Sequence, residues 1–104
     1  MNPMKLMKQA QKMQAEAQKM ENELANKRFE ASAGGGAIKV VVDGKSHLRD
    51  VVIDPEILKE GDAEMLQDFI LTAYRESSEM AVKDQEAQMK KLTAGMQLPP
   101  GMGF

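Results

Sequence analysis

The chain has 104 residues and a formal net charge of −2, with ten methionines, four aromatic residues, and neither cysteine nor tryptophan. That length makes one domain with a modest core, so pairing between copies is a natural source of further stability. The missing cysteine excludes disulfides, thiolate nucleophiles and cysteine metal sites, and no apolar run suits a signal peptide or a membrane span, so a cytoplasmic, soluble protein is expected.

Asn2 and Pro3 predict a helix start, Asn2 as the N-cap and Pro3 in the first turn. From there Leu6, Ala10, Met13, Ala17, Met20 and Leu24 recur at alternating spacings of four and three, a heptad seam that needs a partner. At 1.5 Å per residue this helix, residues 1–27, spans over about 30 Å, more than a compact domain of this size requires. The period then changes to alternation at Phe29, Ala31 and Ala33, which predicts a strand ending at Gly34-Gly35-Gly36. Residues 37–42 (AIKVVV) predict a second strand, Asp43-Gly44 a two-residue hairpin turn, and residues 45–53 a third strand.

Asp54-Pro55 closes this antiparallel sheet, residues 28–54, and opens a short helical segment at 55–60. Asp62 is the expected N-cap of a second long helix, residues 62–94. Met65, Leu66, Phe69, Ile70, Ala73, Tyr74 and Ala81 give it a broad apolar face suited to covering the sheet. Its distal half is more polar and is expected to project. Residues 95–104 contain Pro99-Pro100 and three glycines, which predict an irregular, mobile tail. The order is αβββα in a single domain spanning 1–104, of the α+β class, with a three-stranded antiparallel sheet.

Catalytic and metal chemistry find little support. His47 is the single histidine and falls in a predicted strand. Gly44-Lys45-Ser46 resembles the end of a phosphate loop, but the pattern requires glycine where Lys39 stands. The acidic residues Asp54, Glu56, Glu60, Asp62 and Glu64 match no calcium-loop spacing and read as a solvated surface. The chain is therefore expected to be no enzyme and to hold no cofactor or metal.

Charge is unevenly divided. Residues 1–40 carry seven Lys/Arg against four Asp/Glu, residues 41–79 four against ten, and residues 80–104 three against two. A binding surface needs only a local positive potential, and basic ends flank this acidic middle. Lys5, Lys8, Lys12 and Lys19 share one face of the first helix by their offsets of 3, 4 and 7, opposite the seam. Lys83 and Lys90 lie seven apart on the second helix, with Lys91 adjacent. Such lysines suit a phosphate backbone. Arginine is scarce, at Arg28, Arg49 and Arg75, and no aromatic platform is evident, so weak sequence preference is expected.

The opening MKLMKQAQKMQ at 4–14, the central VVIDP at 51–55 and the tail GMQLPPG at 95–101, in this order and spacing over nearly the whole chain, together resemble the YbaB/EbfC family of bacterial nucleoid-associated proteins. The resemblance implies a homodimer with joined sheets and helices projecting as paired arms. It also implies duplex DNA binding in the cytoplasm at the nucleoid, with a role in nucleoid organisation and gene regulation. Val40, Val42, Val51 and Ile53 of the sheet, with Leu66, Phe69, Ile70 and Ala73 packed over it, are the residues expected at the dimer interface. The rival reading is a helical adaptor or chaperone-like module whose methionine-rich seam grips another protein's helix.

Overall fold

The computed structural model of the chain describes residues 2–95. It forms α1 (Pro3–Asn26), β1 (Phe29–Ala33), β2 (Ile38–Val42), β3 (Leu48–Ile53), the single-turn α2 (Pro55–Leu58) and α3 (Ala63–Gly95). The αβββα order and the α+β class are as expected. Gly95, expected to open the tail, instead ends α3, and the rest of the expected tail, residues 96–104, lies outside the described residues.

Helix starts are set by side-chain caps that satisfy otherwise orphaned N–H groups. The Met4 N–H donates to Asn2 Oδ1 at 3.0 Å, the Glu56 N–H to Asp54 Oδ1 at 3.0 Å, and the Met65 N–H to Asp62 Oδ1 at 3.0 Å. Arg28 closes the other end of α1, where its Nη1 donates to the carbonyls of Ala25 and Lys27 at 2.8 Å. The acidic residues around α2 are thus partly employed as caps, and Glu56 also pairs with Lys59 at 3.0 Å.

The sheet is antiparallel with order β1-β2-β3. Phe29 pairs with Val42 and Ala33 with Ile38 across β1 and β2, while Ile38 pairs with Ile53 and Val40 with Val51 across β2 and β3. Alternation sends Ile38, Val40 and Val42 of the central strand to one face, where they are fully buried. α3 packs over β1 and β2 and covers that face. β3 is left half-covered at the edge, with Leu48 and Val52 exposed.

One local feature differs from expectation. The β2–β3 connection is a five-residue loop, Asp43 to His47, with an irregularity at Val41/Val42, so β3 begins at Leu48 rather than residue 45. The cause is the Asp43 carboxylate. It is fully buried and accepts the N–H groups of Lys45 (2.8 Å) and His47 (3.1 Å) and Arg49 Nε (3.0 Å), which wraps the backbone into a wider turn. The eight residues expected at a dimer interface can be placed within the single chain. All belong to the protomer's own core: Val40, Val42 and Ala73 are fully buried within it, with Val51, Ile53, Leu66, Phe69 and Ile70 packed against its centre. α3 covers Val40 and Val42, and Ala73 of α3 packs down onto that face.

Beyond the sheet the molecule is long and thin, 70 × 25 × 16 Å. α1 approaches the sheet and α3 leaves it, so their distal parts run antiparallel as one projecting arm. In α1 only Leu24 is buried.

Candidate nucleic-acid interface

The direction of the arm is set where α1 meets the β2–β3 loop. The Gly44 N–H donates to the Leu24 carbonyl at 2.8 Å. A Cβ at Gly44 would stand 2.5 Å from that same oxygen and 2.9 Å from Leu24 Cα, so only glycine admits this approach. Lys45 reaches back to Glu21 at 2.6 Å, and the Tyr74 hydroxyl of α3 donates to the Ser46 carbonyl at 3.1 Å. Lys27 at the end of α1 pairs with Asp84 of α3 at 2.6 Å. The loop that resembles a phosphate motif is therefore a clasp joining both helices, with the Gly44 N–H and the Lys45 ammonium already engaged.

Two carboxylates in this clasp have lowered pKa values. Burial works to raise the Asp43 carboxyl but is outweighed by the N–H groups of His47 and Lys45 and by the Arg49 guanidinium, leaving it below its ordinary 3.8. The hydrogen bond and charge of Lys45 lower Glu21.

Against this bonded body the arm lysines stand out. Lys5, Lys8, Lys12, Lys19, Lys83, Lys90 and Lys91 are all exposed, and none is ion-paired among the described residues. The remaining four lysines are each paired: Lys27 with Asp84, Lys39 with Glu30, Lys45 with Glu21 and Lys59 with Glu56. The chain neutralises the ammonium groups of its body and leaves those of its arm free for an anion.

The seven do not form one patch. Lys19 and Lys91 come together across a shallow recess between α1 and α3, together with Met20 and Leu92. Lys83 and Lys90 flank Val82 and Met89 on another side of α3. Of the α1 lysines, Lys19 lines the recess, beside Met20 of the seam. The arm is thus basic on several sides, which suits contact with a polyanion that surrounds or spans it.

Sequence reasoning missed the clasp. Asp43 and Gly44 carry a turn signal, but nothing local marks Gly44 as lying against Leu24. Lys27 and Asp84 are 57 residues apart, with no pattern linking them.

A model of the YbaB/EbfC DNA-binding family matches residues 1–96. A nucleoid-associated protein of Clostridium novyi is 46% identical over 99 residues, covering 95% of this chain and 87% of its own. One from Clostridium kluyveri is 47% identical over 94 residues, with coverages of 90% and 82%. One from Rhizobium meliloti is 37% identical over 99 residues, covering 95% and 92%. Among solved structures, an uncharacterized protein of Helicobacter pylori superposes with a TM-score of 0.76 over 88% of this chain and 97% of its own. At 21% identity, that likeness is one of fold.

Proposed function

The chain belongs to the YbaB/EbfC DNA-binding family, and from that premise we propose that it is a homodimeric nucleoid-associated protein gripping duplex DNA mainly through phosphates. The observation that carries this reading is the division of its lysines, which among the described residues are unpaired along the arm and paired in the body. Unpaired ammonium groups at helical spacing gain from releasing the counterions condensed on DNA, and the gain needs no base contact. Weak sequence preference follows, and with it a role in nucleoid organisation and gene regulation in the cytoplasm. No described helix is long and apolar enough to cross a membrane.

A second copy is supported by the half-covered edge strand β3, with exposed Leu48 and Val52, and by exposed Leu71, Val82 and Met89 along α3. An open strand edge is a ready template for joining sheets. The interface would then use β3 and the partly exposed Val51 and Ile53 rather than the buried Val40, Val42 and Ala73. The rival adaptor reading is favoured by the uncovered seam of α1, where Leu6 and Met13 are about half exposed.

Gel-shift titration of duplex DNA tests the proposal. Binding at low salt is expected to weaken on the order of tenfold or more when Lys5, Lys8 and Lys12 become glutamate. Lys59→Glu, at an ion-paired body position, is expected to change it little. Absence of binding at low salt, or equal binding by the triple variant, would overturn the DNA reading and leave the adaptor.

A further inference from the structure

We infer that the recess at the end of the body opposite the arm docks the arm tip of a second copy of this chain, head to tail. In the antiparallel sheet the β1–β2 turn and the end of β3 lie at one end, and the β2–β3 loop that clasps α1 lies at the other. At the first of these ends a recess of about 340 Å³ has Ala37, Ile57, Met65 and Phe69 as its apolar lining, with Glu56 and Glu60 beside them. Its surroundings are acidic: residues 54–68 carry six Asp/Glu and one lysine. Asp54 and Asp62 serve as caps, and Glu56 is paired with Lys59. Glu60, Glu64 and Asp68 are exposed and hold no ion pair among the described residues.

The arm tip is the complement in both respects. Residues 2–15 carry three lysines, Lys5, Lys8 and Lys12, and no acidic residue, and all of them are exposed. Met4 and Met7, 69% and 62% exposed, each stand one residue before a lysine, so their thioethers line the helix face adjoining the ammonium stripe. Methionine adapts its shape to an irregular apolar recess, while the lysines meet Glu60, Glu64 and Asp68. The tip and the recess lie at opposite ends of a molecule 70 Å long, so the contact joins different copies. Such a contact is heterologous and builds chains or rings rather than a two-fold pair. Surface charge pairs are individually weak and are screened by salt, so the assembly belongs to low ionic strength. Duplex DNA, on the reading proposed above, competes for the same lysines.

Disulfide trapping between single-cysteine variants tests this without nucleic acid, so its failure is separable from that of the DNA reading. The chain has no cysteine of its own, so any mixed disulfide reports the engineered pair. Full-length Met7→Cys, on the arm, is mixed with Leu58→Cys, next to Ile57 of the recess, or with Ser32→Cys on the outer face of β1. All three positions are exposed, so the fold should stand. At about 0.01 M salt, where charges act over about 30 Å, the Met7→Cys and Leu58→Cys pair is expected to cross-link on the order of tenfold faster than the pair with Ser32→Cys. The advantage is expected to vanish at about 1 M salt, where screening sets in within about 3 Å. It should also vanish when Glu60→Gln, Glu64→Gln and Asp68→Asn accompany Leu58→Cys. Equal rates for the two pairs at low salt would overturn the inference and leave the acidic recess to a basic segment of another protein. An advantage that survives removal of the three carboxylates would overturn it as well.

Discussion

Asp43 and Gly44 do more for the architecture than their place in a surface loop suggests. Gly44→Ala forces a methyl against the Leu24 backbone, with no flexible side chain to give way. A loss of about 1–3 kcal/mol is expected in denaturant unfolding, as for other overpacked sites. Asp43→Ala leaves two N–H groups and a guanidinium without their acceptor, and a loss of about 1–2 kcal/mol is expected, the range for a lost capping side chain. The pH dependence has a definite sign. Asp43 is lowered from 3.8 in the folded chain, so its contribution is complete above the unfolded value of about 3.9. It is lost as pH falls through the lower folded value. Unfolding measured across acid pH should therefore show a shallower decline for Asp43→Asn than for the parent. An identical decline would mean that the carboxylate charge is not what the loop uses.

Among the elements, most of the fold was legible in the sequence because its signals are local. Asn2, Asp54 and Asp62 sit where caps belong, the alternation from Phe29 to Ala33 marks β1, and the AIKVVV run marks β2. The seam at Leu6 to Leu24 gives α1 its length. The five-residue loop was not legible, since Asp-Gly favours a two-residue turn and only a buried carboxylate with Arg49 six residues on widens it. The seven arm lysines could be named from spacing, but that all seven stand unpaired among the described residues while the other four are paired depends on tertiary neighbours. The Lys27–Asp84 pair belongs to this level as well. Its side chains are 34% and 24% exposed, so Lys27→Ala should cost no more than about 1 kcal/mol of stability. Its loss should instead loosen the angle between α1 and α3, seen as faster exchange of amides near residue 20 with the sheet unaffected.

For the whole molecule, 70 Å of length around a small sheet leaves a chain with more surface than its own core can cover. Sedimentation at micromolar concentration should give twice the 11.5 kDa of one chain, and a mass near the single chain would remove the dimer. Two copies would present eight α1 lysines, and if all met phosphates the slope of log binding constant against log salt would approach about −7. The most direct test of phosphate contact by the arm is that slope, measured for duplex DNA with the parent and with Lys8→Ala and Lys12→Ala combined. The expected result is a steep negative slope whose magnitude falls by about 0.9 for each phosphate contact removed. A slope near zero in the parent, or one unchanged in the variant, would contradict it.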